Sequence, residues 1–282
     1  MPSMKIIKRR ISSVKSTRQI MKAMNLVAAS KLQKAKVHLG SVRALFDEMT
    51  RVIETVKHAE DIADNIFVRA REVKNTAYVV ITSDKGLCGG YNSNISKEAL
   101  AAMKNVQNEK IISVGAKGGF YFQRKQKNIL HRITGVSDAN FYNNAQNIAG
   151  LLIEMYRSGE IDEAYVAYTR FNSMISHSPR VEKLLPLQGG AGGEKSGALM
   201  QYEPDVNTFL EHAVPIYLSI FLYDAIVESA VCEQAARMMS MDAAAGNATE
   251  IIEKLTLVYN RKRQDIITQE INEIVGGANA LQ

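Results

Sequence analysis

The sequence predicts an α/β protein in which a long antiparallel coiled coil, made from the N- and C-terminal helices, carries an inserted Rossmann-like α/β domain. Three observations predict it. From Ile7 onward every seventh residue is apolar: Ile7, Val14, Met21, Ala28, Ala35, Val42, Met49 and Val56. A second series of the same period returns beyond Pro215. Between them the apolar runs shorten to strand length and alternate with helical stretches. A chain of 282 residues with 46% hydrophobic content is ordinary for a globular protein, and its lack of Trp suits helical rods better than a sandwich.

The first helix, within residues 1–58, rests on a companion series four positions on: Ile11, Arg18, Asn25, Leu32, Leu39, Phe46 and Ile53, polar only at Arg18 and Asn25. Apolar residues every 3.5 positions, with no proline after Pro2, specify a long helix supercoiled on a partner. Such a helix would run about 75 to 80 Å, longer than a globular core can hide, so the rest of the chain must supply the partner. Arg18 and Asn25 either fix the register of the seam or mark a contact with something other than the second helix. The pattern dissolves through the charged stretch Lys57 to Lys74.

The α/β domain is expected at 75–188. Ala77 to Thr82 reads as a strand buried on both faces, because it is nearly continuous and β-branched. It enters a glycine-rich turn, Ser83 to Asn92, and then a helix from Ser96 to Val106. The unit repeats as a strand Lys110 to Val114, a turn Gly115 to Gly119, and a helix Phe120 to Gln126. A weaker strand is expected at Ile129 to Arg132. Asn140 starts a helix with the apolar face Ala145, Ile148, Leu152 and Met155, and two strands follow at Ala164 to Phe171 and Arg180 to Leu187. Strands alternating with helices argue for a mainly parallel sheet.

Residues 189–214 read as a glycine-rich linker, centred on Gly189 to Gly197. The second coiled-coil helix is expected at 215–282, with Val231, Gln234, Met238, Met241, Ala245, Ala248, Ile252, Leu255 and Tyr259 on one seam. Its centre would pack Met238, Met241, Ala245, Ala248 and Ile252 against Met21, Ala28, Leu32 and Ala35. An intramolecular pair joined through an inserted domain is most simply antiparallel. The clean seam ends near Tyr259, beyond which Lys262 and Gln269 take seam positions and imply a different neighbour.

The formal charge of +6 hides an asymmetry, since eleven Lys or Arg precede the first acidic residue, Asp47. An acidic partner is expected at this end. Cys88 and Cys232 form no CxxC and no metal-ligand spacing with the five histidines, so free thiols and no metal are expected. The longest uncharged apolar run, Ala213 to Tyr223, is too short to span a bilayer and contains Pro215. No direct membrane insertion is expected. A basic, acid-free N-terminus also suits a transit peptide, but the heptads run through it without a break.

Gly86, Gly89 and Gly90 follow a strand and precede a helix, yet GxxGG matches neither GxGxxG nor GxxxxGK[ST]. Tight turns with close backbone packing are the reading there and at Gly115, Gly118 and Gly119. In GGAGGEKS, Glu194 puts Lys195 one place too late for a phosphate loop. There is no HExxH, GxSxG or His/Cys cluster, and neither a catalytic residue nor a cofactor site is assigned.

Three stretches together resemble the gamma subunit of F-type ATP synthase: Ile7 to Lys36, Ile81 to Asn92 and Ile267 to Ala280. In the last, Ile267, Thr268, Glu270, Glu273, Gly277, Ala278 and Ala280 stand at the family's signature positions, and Glu233 to Ala248 adds a fourth stretch. The resemblance implies a central rotor shaft. The coiled coil would sit inside a ring of alpha and beta subunits, and the α/β domain near epsilon and the membrane c-ring, coupling ion flow to ATP synthesis or hydrolysis on beta. It also implies beta-facing residues at Lys22, Met24 and Lys31 on the first helix and Arg263, Gln264, Thr268 and Glu270 on the second. Ile266 to Gln282 would be enclosed by alpha and beta. The chain lacks the cysteine-bearing insertion of similar chloroplast subunits, so no thiol switch is expected. With the first motif within ten residues of Met1, a peripheral protein at the cytoplasmic face of a bacterial cell membrane is expected.

Two other classes compete. A nucleic-acid-binding coiled coil is motivated by the basic helix and a pI near 9.1, but residues 1 to 45 contain no aromatic, and no nucleic acid is assigned as a partner. A nucleotide-dependent enzyme would need the phosphate loop that the glycine spacings fail to provide.

Overall fold

A computed structural model describes residues 4–56, 62, 65–103, 108–187 and 205–280. In chain order the elements are α1 (Met4–Val56), β1 (Thr76–Ile81), α2 (Tyr91–Ala102), β2 (Glu109–Val114), α3 (Ala116–Arg124), β3 (Ile129–Ile133), α4 (Phe141–Arg157), β4 (Glu163–Phe171), β5 (His177–Leu185) and α5 (Val206–Ala280). The chain divides into two compact units, one of residues 1–28 and 237–282 and one of residues 29–236. The division cuts across the organisation expected from sequence, because the later part of α1 and the first part of α5 belong with the sheet.

In the larger unit the five strands take the order β3-β2-β1-β4-β5. β1 pairs in parallel with β2 and with β4, and β2 with β3. β5 closes one edge antiparallel to β4. All six residues of β1 are buried, which is why they read as a continuous apolar run rather than an alternating one. One core gathers Tyr78, Val80, Ile95, Ala99, Ile111, Phe122 and Ala167. α4 hides Ala145, Ile148, Leu152 and Met155, the face expected of it.

Helix boundaries depart from the sequence reading in three places. α2 starts at Tyr91, with Gly90 as its N-cap residue, five residues before Ser96. α3 starts at Ala116, so Gly118 and Gly119 lie in the helix and not in a turn. The smallness of Gly118 serves packing: a Cβ there would meet Thr82 Oγ1 at 2.8 Å and Ser113 Oγ at 2.9 Å. Gly115, the residue that does turn, has φ +88, and a Cβ on it would strike the Thr82 carbonyl oxygen at 2.2 Å.

The third correction concerns the linker. Residues 206–214 are helical, and α5 runs through Pro215. A proline inside a helix removes one N–H and typically costs about 3 kcal/mol, but the turn before it is well founded. The Asp205 carboxylate accepts the Thr208 N–H at 2.9 Å and the Thr208 hydroxyl at 2.6 Å, an N-cap. The hydroxyl of Ser219 donates to the Pro215 carbonyl at 2.8 Å. The stretch 189–197 lies outside the described residues.

By length and composition α5 contains a stretch apolar enough to cross a bilayer, but 67% of it is buried inside the protein. It is a core helix that sequence hydropathy alone does not distinguish from a span.

Candidate functional site

In the smaller unit α1 and α5 run antiparallel. Asn25 Nδ2 donates to the Met238 carbonyl at 2.9 Å, and Arg18 Nη1 donates to Thr249 Oγ1 at 3.4 Å. The partner number rises as the α1 number falls. Both polar seam residues thus bond across the pair, which favours the register-fixing alternative for Arg18 and Asn25.

The seam residues are covered. Ala28 is 1% exposed, Ala245 7% and Ala248 5%, so the two backbones approach over small side chains. Met241 and Ile252 are buried, and Met21 and Met238 half-buried. In the larger unit Leu32 and Ala35 are buried, and Phe46 packs edge-on against Phe221, ring centres 5.1 Å apart.

The last buried residue on α5 is Ile252, and the last half-buried one is Ile266. From there the helix continues with Ile267, Ile271, Ile274 and Val275 all at least 45% exposed. These four lie on one side of a helix at spacings of four, three and one, an apolar stripe without a cover among the described residues. On α1 the basic residues Lys5, Lys8, Arg9, Arg10, Lys15 and Lys22 are all exposed.

Of the expected beta-facing residues, Lys22, Lys31, Arg263, Gln264, Thr268 and Glu270 are exposed and Met24 is half-buried. Lys31 falls in the larger unit and the others in the smaller. The structure does not gather those of the smaller unit at one point. With Asn25 opposite Met238 and Arg18 opposite Thr249, Lys22 lies level with residues short of 249. Arg263 is then about 20 Å or more further along α5.

The glycine-rich turn after β1 sits at the point where the strand order reverses, between β1 and β4. Open α/β sheets bind ligands in the crevice at that point. Here α5 fills it. Ser229 Oγ accepts the Thr169 N–H at 3.2 Å, and Cys232 Sγ donates to the Thr169 carbonyl at 3.3 Å. Cys88, Tyr91 and Cys232 form a buried cluster with Phe171 and Ala236 against it. Both cysteines are free and buried, and burial pushes the Cys232 thiol up from its ordinary value, so it is a poor nucleophile. Among the described residues no group of three His, Cys, Asp or Glu side chains is arranged to hold a metal ion.

The most closely tied residue was not anticipated. Glu228, 1% exposed, accepts Arg43 Nη2 of α1 at 2.5 Å and the Phe171 N–H of β4 at 3.1 Å through the same oxygen. It joins α1, α5 and the sheet. Burial raises its carboxyl pKa, and the Phe171 N–H and Arg43 oppose the rise. An acid inside an apolar run, Ile220 to Val231, is the sequence signal that marks it.

The family model described as ATP synthase matches residues 3–281. The ATP synthase gamma chain of Alkaliphilus metalliredigens is 42% identical, over 99% of each chain. The ATP synthase gamma chain, sodium ion specific, of Acetobacterium woodii is 39% identical over 98% of this chain and 97% of its own. Among solved structures, a chain of the Tetrahymena thermophila mitochondrial ATP synthase central stalk and c-ring is 25% identical with a TM-score of 0.65, covering 80% of this chain and 99% of that one. A chain of the Euglena gracilis mitochondrial ATP synthase shares the fold at 22% identity and a TM-score of 0.70, covering 99% and 94%. With the family model matched from end to end and relatives this similar over their whole length, the chain belongs to the gamma chains of ATP synthase.

Proposed function

We propose that this chain is the central rotor shaft of a bacterial F-type ATP synthase, coupling transmembrane ion flow to ATP synthesis or hydrolysis at the alpha and beta subunits. The observation that carries the reading is the end of α5. An apolar stripe from Ile267 to Val275 stays exposed beyond Ile252, the last buried residue of α5, as suits a shaft tip held in an apolar sleeve. The exposed basic residues of α1 suit acidic loops on beta. Lys22, Met24, Lys31, Arg263, Gln264, Thr268 and Glu270 are the beta-facing set.

The larger unit would meet epsilon and the c-ring, holding the complex peripherally at the cytoplasmic face of the cell membrane. The chain itself is non-catalytic in this reading. Support comes from the filled crevice at the strand reversal and from glycines that pack against Thr82 instead of opening a phosphate cradle.

Limited proteolysis of the assembled complex tests the reading. Ile266 to Gln282 should be spared in the complex and removed readily from the free chain. Rapid loss of that tail from a complex that still pumps ions would overturn it.

A further inference from the structure

Asp224 stands one helical turn before Glu228 on α5, and the two carboxyls are 6% and 1% exposed. Glu228 holds the cation of Arg43 and the Phe171 N–H. Asp224 Oδ1 is buried with no hydrogen-bond partner. The charged groups that act on Asp224 are Arg43 and Asp47 from α1, Arg170 from β4 and Glu228 from α5 itself. Two cations therefore serve three acids, and Arg43 is bonded to Glu228. A charged carboxylate that is buried, unpaired and beside another acid costs free energy that the neutral acid does not.

We propose that Asp224 is a pH-sensitive element of the joint that fastens α1 and α5 to β4. Neutral, it packs as an ordinary buried side chain; ionised, it repels Glu228 and loosens that acid's hold on Arg43 and Phe171. This goes beyond the rotor reading and does not depend on it, since the joint lies within one unit of the chain. Burial first, and the Glu228 charge second, push the Asp224 carboxyl up to about 7.

The direction of the effect follows from linkage. The folded chain keeps this proton to a higher pH than the unfolded chain does. The stabilisation is therefore full below the ordinary carboxylate range and is lost as pH rises through about 7.

Thermal unfolding of the full chain between pH 4 and 9, as wild type and as Asp224→Asn, tests the stability half. Asn mimics the neutral acid, so the two melting temperatures should lie closest near pH 4 and draw apart as pH rises to about 7, the variant then higher by several degrees. Amide hydrogen exchange at Phe171 reads the joint itself. Protection of that amide, referenced to Asp224→Asn at the same pH, should fall several-fold above neutrality. Curves that run parallel at every pH, or Phe171 protection equal in both chains throughout, would overturn the proposal. Carbon NMR of the Asp224 carboxyl gives the answer without a variant: titration near neutrality supports the proposal, and titration in the ordinary carboxylate range sinks it.

Discussion

Between Tyr217 and Ala236 no residue of α5 is exposed, whereas between Met241 and Ile252 only Met241, Ala245, Ala248 and Ile252 are buried. One uninterrupted helix thus meets two environments. The first stretch is enclosed all round, and its side chains are chosen for bulk: Leu218 and Leu222 are both fully buried. The second keeps one narrow stripe, and its side chains are chosen for slimness. Helical continuity hides this change, and only the width of the apolar face reveals it. A substitution in the first stretch should therefore act on folding, and one in the second on how the helix pair fits together.

The largest effect is expected where enclosure is complete. Leu218→Ala or Leu222→Ala should cost about 2 to 5 kcal/mol, as cavity-forming core truncations do, measured by urea denaturation. A loss below 1 kcal/mol would place that stretch in a looser environment than its burial implies.

In the striped stretch the opposite change does the harm. Enlarging Ala245 and Ala248 together to Leu should overpack the seam and cost about 1 to 3 kcal/mol, with lower ion pumping per ATP in the assembled complex. Pumping equal to the parent would show that the helices have room to spare at these layers.

A smaller change is expected at Asn25→Ala, which removes one cross-seam hydrogen bond and should cost about 1 kcal/mol. Spectroscopic distances between labels on the two helices would report any slip in register, and no change in either quantity would dismiss Asn25 as a register pin. Smallest in stability is the triple change of Lys22, Lys31 and Arg263 to Ala. All three side chains are exposed, so stability should stay within about 0.5 kcal/mol while ATP-driven pumping falls. Pumping at the parent level would remove them from the beta-facing set.

The seam was legible because heptad repeats carry their own phase: once Ile7 is placed, Leu32 and Ala35 follow. The strands were legible because β1 is buried on both faces and therefore reads as an unbroken apolar run. What escaped had a local reason each time. Pro215 marks a boundary in the sequence, because a proline speaks against helix on both sides, and the Asp205 to Thr208 cap that overrides it is only two side chains. Gly118 reads as turn from sequence, because the Thr82 side chain that requires its smallness lies 36 residues away in sequence. Glu228 and Asp224 are hard to place from sequence because partnership decides what a buried acid does, and Arg43 lies 185 residues from Glu228 in sequence. The residues proposed to face beta carry no signal in this chain's own physics: among the described residues no internal contact distinguishes Lys22 from any other solvated lysine, and only resemblance singles it out.

The two hydrogen bonds that the β4 backbone donates to Ser229 and Glu228 have a mechanical consequence. A helix packed only through apolar side chains can roll about its own axis, trading one set of contacts for another at little cost. Advancing by one residue is a turn of about 100°, and at that angle both acceptors would swing away from the Thr169 and Phe171 N–H groups, which β1 is too short to take up. Those two strand amides thus set the azimuth of α5, and torsional load on the helix is resisted by hydrogen bonds into the sheet rather than by friction between side chains.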